Sequence, residues 1–221
     1  VNPQITKSYA ADEKGYMFSL VRKSSKLSFC LLLLLALPVI FNAEYILGLW
    51  LKEVPAHSAL FVQLFLIFAL SESLSNPLIT AMLATGNIRN YQLVVGGVQL
   101  LNIPVSYLLL RLGAAPEITV VVAIALSQVC LFARLIMFGR ATGFPVRVYI
   151  KEVYMPVIFK VTLAAVALPM ALRFVLPGGF WGFAASVAAC VVSVLLAVLA
   201  FGMTADEREW LKGMIFRRNA A

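Results

Sequence analysis

The sequence predicts an all-α protein, a polytopic bundle of six membrane-spanning helices. Its residues are 62% hydrophobic and only 13% charged, and the mean hydropathy is +0.94. A soluble domain carries roughly 25% charged residues. The hydrophobic residues fall into six runs, each long enough to supply the roughly 20 residues that an α-helix needs to cross a bilayer. The lipid bilayer is therefore the predicted surrounding of most of this chain.

The six hydrophobic runs define the predicted spans. They cover about 27–50, 58–84, 91–112, 117–139, 154–176 and 180–203. At about 1.5 Å per residue, each run is long enough to cross the ~30 Å core with some tilt. The connections are short except for residues 140–153, so helices that are neighbours in the sequence are expected to pack antiparallel.

Two polar segments flank the predicted bundle of residues 27–203. In residues 1–26, the spacing of Tyr16, Leu20 and Val21 suits a short amphipathic helix along the membrane surface, and an ordinary charged linker is the alternative. In residues 204–221, Thr204 is suited to cap a short tail helix. Acidic residues in the first turn of that helix and basic residues in its last turn match the helix dipole.

Lysine and arginine are distributed unevenly between the two ends of the spans. The N-terminus, the connections after the second and fourth spans, and the C-terminus fall on one side. That side holds all of the 18 basic residues except Lys52, Arg111 and Arg173. The positive-inside rule places it in the cytoplasm. Both flanking segments are therefore predicted to be cytoplasmic, in agreement with an even number of spans.

Several classes of function are not expected. The net charge of +8 does not indicate nucleic acid binding, because the basic residues are spread along the chain rather than gathered on one module. The three cysteines lie singly in hydrophobic runs without a CxxC, and the one histidine, His57, cannot build a metal site alone. No Gly-rich phosphate loop, HExxH or G-x-S-x-G occurs. Neither a cofactor nor an enzymatic activity is therefore expected.

An acidic residue, Glu72, falls near the middle of the second predicted span. A charged carboxylate there costs roughly 2.5–3.5 kcal/mol on insertion scales. It is therefore expected to be protonated, paired or in contact with water. One interpretation is a coupling site for H⁺ or Na⁺, or a contact to a polar substrate. The other is a structural hydrogen bond to a neighbouring helix, with Gln99 or Asn102 as the partner.

Asn/Pro pairs interrupt two adjacent predicted spans. Asn76 lies one helical turn beyond Glu72 on the same face, and Pro77 follows it. Asn102 and Pro104 repeat the arrangement in the next span. Proline removes a backbone hydrogen bond and bends a helix. Pro77 and Pro104 are thus candidate hinges of a transport cycle, with simple static kinks as the alternative.

Further polar side chains lie within the predicted spans. The amides are Gln63, Gln99, Asn102 and Gln128. Each of them could line a hydrophilic cavity or join two helices by a hydrogen bond. Arg134 and Lys160 lie near the predicted cytoplasmic ends of their spans, and extension of these side chains to the membrane surface is favoured over phosphate binding.

A series of short motifs runs along the chain. In order they are Asn2-Pro3-Gln4-Ile5-Thr6-Lys7, Tyr9-Ala10, Asp12-Glu13, Leu49-Trp50-Leu51, Ala84 to Tyr91, Asn102 to Tyr107, and Thr204 to Glu209. This order resembles the C-terminal portion of bacterial polysaccharide exporters, the Wzx-type O-antigen flippases of the MATE-like MOP superfamily. The resemblance covers almost the whole chain. It implies that these six spans are the last of 12–14 helices, which surround a central cavity with alternating access.

The resemblance implies a flippase that moves an undecaprenyl-diphosphate-linked oligosaccharide across the bacterial inner membrane. Its expected partners are the lipid-linked oligosaccharide, a polysaccharide polymerase and other glycan-assembly proteins. The candidate substrate or coupling residues are Glu72, Asn76, Gln99, Asn102 and Gln128. Two alternatives stay open: a MATE-type cation-coupled antiporter of small molecules, and a non-transporting membrane subunit of a glycan-assembly complex.

Overall fold

Six long helices make up most of the computed structural model, which describes residues 2–173 and 179–202. Each is long and apolar enough to cross a membrane. They are Lys14–Phe41, Ser58–Ala84, Ile88–Arg111, Ile118–Thr142, Val146–Leu172 and Phe180–Gly202, called the first to sixth spans below. The structure is 87% helical, without strands among the described residues. The prediction of an all-α bundle with six membrane-length helices is confirmed. The predicted tail helix, 204–221, lies outside the described residues.

The N-terminal segment is part of the bundle. A short helix, Asn2–Ala10, packs against the first and second spans, and its Ile5 is fully buried. The first span begins at Lys14, earlier than expected, and buries Met17 and Val21 in the core near its start. Residues 2–10 and the turns from Lys14 onward are therefore helical and packed within the bundle. The physical reason is that these apolar side chains pack against other helices instead of against lipid headgroups.

The run predicted as one span at 27–50 is divided in two. The first span ends before Asn42, and a short helix, Ala43–Trp50, follows. Pro38 lies one turn before this break and cannot donate a backbone hydrogen bond. Its carbonyl accepts hydrogen bonds from both the backbone N–H and the side-chain Nδ2 of Asn42, at 3.1 and 2.8 Å. The Asn42 amide thus closes the end of the first span.

A side chain of the second span bonds to the same helix end. Gln63 Nε2 donates to the Ile40 carbonyl at 2.9 Å. Carbonyls in the last turn of a helix have no partner within that helix, so they need donors from elsewhere. Gln63 therefore joins two helices in this structure.

The spans pack in an order that differs from their order in the sequence. The third span packs on the fourth, the fourth on the second, the second on the first, the first on the sixth, and the sixth on the fifth. The beginning of the fifth span also reaches the second and fourth spans through Tyr149 and Tyr154. The first and second spans consequently lie in the middle of this order, and the first span is the most buried of the six. The third span is at the edge and is the least buried of the six.

The third and fifth spans depart from a regular α-helix. The third consists of two helices, Ile88–Leu100 and Asn102–Arg111, so the break falls beside Pro104, as expected from the sequence. In the fifth, Pro156 lies in a stretch with π-helical hydrogen bonding, where the missing N–H of proline is tolerated. The second span, by contrast, stays helical through Pro77.

The turn between the fourth and fifth spans is tighter than the predicted connection of residues 140–153. The fourth span ends at Gly143, whose φ of 79° lies in the left-handed region that favours glycine, and the fifth begins at Val146. Gly139 permits this close return. A Cβ atom there would lie 2.7 Å from Cγ2 of Val146 and 3.3 Å from the carbonyl oxygen of Phe144.

Candidate functional site

An acid and a base face each other between the second and fourth spans. Glu72 lies half-way along the second span, and its Oε2 is 3.7 Å from Nη1 of Arg134. The side chain of Arg134 is 4% exposed and that of Glu72 is 23% exposed. The expectation that Arg134 extends to the membrane surface is therefore wrong. Its charge stays inside the bundle because a carboxylate lies beside it.

The Glu72–Arg134 pair is incompletely bonded. At 3.7 Å the two charges attract each other without forming a hydrogen bond. Among the described residues, no hydrogen-bond partner reaches Oε1 of Glu72 or the Nε and Nη1 atoms of Arg134, although all three atoms are buried. Charges removed from water normally need such partners to offset their desolvation. A rearrangement of the two spans, or a bound polar group, could supply these missing partners. Either change would lower the desolvation cost of the two buried charges.

The carboxylate of Glu72 does not pair with the amides expected from the sequence. Asn102 Oδ1 instead accepts a hydrogen bond from the Ser106 hydroxyl at 2.6 Å, within the third span. Gln99 is exposed on the same span. Neither Gln99 nor Asn102, the example partners expected for a structural hydrogen bond from Glu72, bonds to it, and Arg134 lies beside the carboxylate instead.

A cavity of ≈ 190 Å³ lies between the second, third and fourth spans. It is called the third-span cavity and is lined by Phe68, Gln99, Asn102, Ala123, Leu126 and Ser127. Two amides and one hydroxyl thus face an otherwise apolar wall, which is the usual make-up of a site for an organic ligand. Of the predicted site residues, the structure brings Gln99 and Asn102 together here.

A chain of hydrogen bonds leads from the third-span cavity to the fifth span. The Tyr154 hydroxyl donates to Gln128 Oε1 at 2.8 Å, and Gln128 Nε2 donates to Ser71 Oγ. Ser71 Oγ is bonded in turn to Ser127 Oγ. The Ser127 hydroxyl gives its one hydrogen to the Ile124 carbonyl at 2.9 Å, so Ser71 is the donor to Ser127.

This chain fixes the position of three spans. Both ends of the Gln128 amide are engaged, the oxygen by the fifth span and the nitrogen by the second. Fully satisfied polar networks of this kind rigidify a core. Gln128, proposed from the sequence as either a cavity residue or a connection between helices, is a connection in this structure.

A polar face of the second span runs past Glu72. Asn76 follows one turn later and is exposed, and Thr80 donates its hydroxyl to the Asn76 carbonyl at 3.2 Å. Residues four apart lie on one face of a helix. The side-chain amide of Asn76 has no hydrogen-bond partner within the described part of the chain. It is thus available to a group that approaches Glu72 along this face, although it lies outside the third-span cavity.

The turn before Pro77 is bonded to two other spans. The Leu74 carbonyl accepts hydrogen bonds from Ser25 Oγ at 3.2 Å and from the Tyr149 hydroxyl at 3.0 Å. Pro77 lacks the N–H that would bond to the Ser73 carbonyl four residues earlier, and the second span stays helical through it. Since Pro77 is buried and its turn is held in this way, its geometry favours a static kink. Pro104 is exposed and sits at a break, which favours it as the hinge.

The sequence does not indicate the partners of its polar residues. It predicts Arg134 at the membrane surface, and it assigns no hydrogen bond to the hydroxyls of Ser71, Ser127, Tyr149 and Tyr154. One signal was present: three serines, Ser71, Ser73 and Ser75, surround Glu72 in an otherwise apolar span. Such a density of small hydroxyl residues is typical of contacts between membrane helices.

No family model, curated protein or solved structure matches the chain. Its function is therefore inferred from its own residues and contacts.

Proposed function

We propose that this chain is part of a transporter that flips an undecaprenyl-diphosphate-linked oligosaccharide across the bacterial inner membrane. The observation that carries the proposal is the incompletely bonded Glu72–Arg134 pair, half-way through a bundle of membrane-length helices. Ionisable side chains at this depth are costly and mark pathways for ions and polar substrates. A bundle that only anchored another protein would not need them.

The third span supports a transport cycle. It is interrupted at Leu101 and is the least buried of the six spans. An element with few buried contacts can change its position at low cost, and helix ends absorb the change in backbone angles. Movement about Pro104 would open or close the third-span cavity, because Gln99 and Asn102 lie on either side of the break.

The substrate class is inferred from two features. The third-span cavity presents the amides of Gln99 and Asn102, groups that form hydrogen bonds with sugar hydroxyls. The order of sequence motifs resembles that of Wzx-type flippases. The proposed substrate is accordingly a repeat unit of O-antigen or another surface polysaccharide. A polymerase and other glycan-assembly proteins are then the proposed partners. In the proposed topology, both ends of the chain face the cytoplasm.

Glu72 is the proposed coupling residue. Binding of H⁺ or Na⁺ neutralises the carboxylate and removes its attraction for the guanidinium of Arg134. In this state Arg134 is available to an anionic group of the substrate, and the second and fourth spans can separate. Release of the cation restores the pair in the arrangement described above. No enzymatic step is assigned to the chain.

A MATE-type antiporter of small molecules is the second candidate. The observation in its favour is the carboxylate of Glu72, which is 23% exposed and has a buried oxygen without a hydrogen-bond partner among the described residues. A carboxylate of this kind suits a cation that is exchanged for a drug-like molecule. Such a protein should protect cells from toxic organic cations.

The deciding experiment uses cells that lack the complete gene, with the leaflet position of undecaprenyl-linked oligosaccharide as the readout. We expect this lipid to accumulate on the cytoplasmic face and to be exported again when the gene is restored. Normal export in cells without a second flippase would contradict the proposal. Sensitivity to toxic cations in the same cells would then favour the antiporter.

A further inference from the structure

A second cavity lies at the end of the bundle where the second span turns into the third. Its volume is ≈ 250 Å³, and it is lined by Met82, Asn87, Asn90, Met137, Arg140 and Ala141. Asn87 precedes the third span and Asn90 lies in its first turn, whereas Arg140 lies in the last turn of the fourth span. Two exposed amides and an exposed guanidinium from two spans thus line one open space. We call it the Arg140 cavity.

The polar side chains of the Arg140 cavity have no partner among the described residues. Arg140 forms no ion pair there, and the side-chain amides of Asn87 and Asn90 form no hydrogen bond. The helix Ile88–Leu100 begins at this cavity without a side-chain cap. Backbone N–H groups in the first turn of a helix have no partner within the helix and add to the donors at this place.

We propose that the Arg140 cavity binds the phosphate group of a lipid. A phosphate needs positive charge and several N–H donors, and Arg140 with the two amides supplies both. No carboxylate is among the lining residues to repel the anion. Met82 and Met137 give the cavity an apolar side, and methionine adapts its shape to flexible hydrocarbon. A phosphate attached to a hydrocarbon chain therefore fits this combination better than a free phosphate ion.

Two lipids carry this chemistry. One is an anionic phospholipid of the bilayer, and the other is the lipid diphosphate of the proposed substrate. Only the second source rests on the proposed function. In that case the Arg140 cavity would receive the headgroup at the arginine-rich end of the bundle, before the substrate reaches Glu72.

The test measures lipid binding to the intact protein in detergent micelles by native mass spectrometry. The probes are phosphatidylglycerol, undecaprenyl diphosphate, and diacylglycerol as the lipid without phosphate. We expect the two phosphate lipids to be retained and diacylglycerol to be lost. Arg140→Gln should weaken phosphate binding by about tenfold or more, because it removes a charged hydrogen-bond donor. The double substitution Asn87→Ala and Asn90→Ala should weaken it as well.

The matched control is Arg147→Gln. Arg147 is exposed near the same end of the bundle and does not line the cavity, so its loss should change binding by less than about twofold. Equal losses for the Arg140 and Arg147 variants, or equal retention of diacylglycerol, would overturn the proposal. Tighter binding of undecaprenyl diphosphate than of phosphatidylglycerol would identify the proposed substrate as the ligand of this cavity. Equal affinities for the two would identify the bilayer lipid as the ligand. If the protein binds phosphate lipids specifically but does not flip lipid-linked oligosaccharide, the phosphate site is supported and the proposed function is contradicted.

Discussion

Nη1 of Arg134 lies 3.7 Å from Oε2 of Glu72, near enough for strong attraction and too far for a hydrogen bond. At an effective dielectric constant of about 20, two unit charges about 4 Å apart attract by roughly 4 kcal/mol. Desolvation of buried charges costs a similar several kcal/mol per ion. The attraction therefore offsets only part of the cost of burying both charges, and the atoms without hydrogen-bond partners leave the rest in place. Under the proposed function, this is the pair on which a cation or an anionic substrate acts.

Glu72→Gln should stop transport while leaving the protein in the membrane at near-normal abundance. The amide has nearly the same size as the carboxylate and keeps a polar oxygen beside Arg134, but the residue can no longer change its charge. Export of lipid-linked oligosaccharide and protein abundance should be measured in the same cells. Export at the wild-type rate would show that Glu72 only holds helices together.

Arg134→Leu should destabilise the protein more than the double substitution Glu72→Leu with Arg134→Leu. Removing one member of a buried pair leaves an uncompensated charge, which typically costs about 3–5 kcal/mol. The lower part of this range is expected because Glu72 is 23% exposed. Thermal unfolding in detergent measures the difference, with the exposed Arg89→Leu as the control. If the double variant is the least stable of all, the two charges do not act as a pair.

Pro104→Ala should change transport more than stability. The substitution restores a backbone N–H next to the break at Leu101 and favours a continuous third span, which stiffens the proposed hinge. Pro77→Ala, at a turn held by Ser25 and Tyr149, provides the comparison and should affect stability more than transport. Loss of the Pro104→Ala protein from the membrane would instead indicate that the break is needed for folding.

Gly139→Ala should destabilise the turn between the fourth and fifth spans by about 1–3 kcal/mol, as overpacking does elsewhere. The new Cβ would lie 2.7 Å from Cγ2 of Val146 and 3.3 Å from the Phe144 carbonyl oxygen. Gly96→Ala is the matched control, since its Cβ position meets no described atom within 4 Å apart from the adjoining backbone of its own helix. Adding Val146→Ala to Gly139→Ala should recover part of the lost stability, because it removes the Cγ2 atom that the new Cβ would contact. Equal melting temperatures for the Gly139 and Gly96 variants would show that the close return tolerates a methyl group.

Hydropathy was sufficient to locate the six spans because bilayer thickness fixes the length of an apolar run. It could not locate the breaks within such a run. The segment 27–50 is apolar except for Ser28, Asn42 and Glu44, and Pro38 and Asn42 divide it. The buried N-terminal turns were missed for the opposite reason: Met17 and Val21 lie among charged residues, which hide a helix that packs on protein.

The partners within the site depend on which spans are neighbours. Glu72 was recognised because an acid in an apolar span is costly wherever it lies. Arg134 was not assigned to it, since the packing of the second span on the fourth is not written in the linear order of the chain. The same holds for Tyr154, which reaches Gln128 only because the beginning of the fifth span packs beside the fourth. Single-residue chemistry could be predicted, and pairwise geometry could not.

The Leu74 carbonyl also bears on how the protein is made. Ser25 is synthesised before it, whereas Tyr149 reaches the membrane only after two further spans have been inserted. A nascent chain that has delivered four spans thus holds the proline turn with one of its two donors. It also lacks Tyr154, which completes the hydrogen bonds of Gln128. The second span therefore enters the bilayer before the fifth span, on which the last of these hydrogen bonds depend.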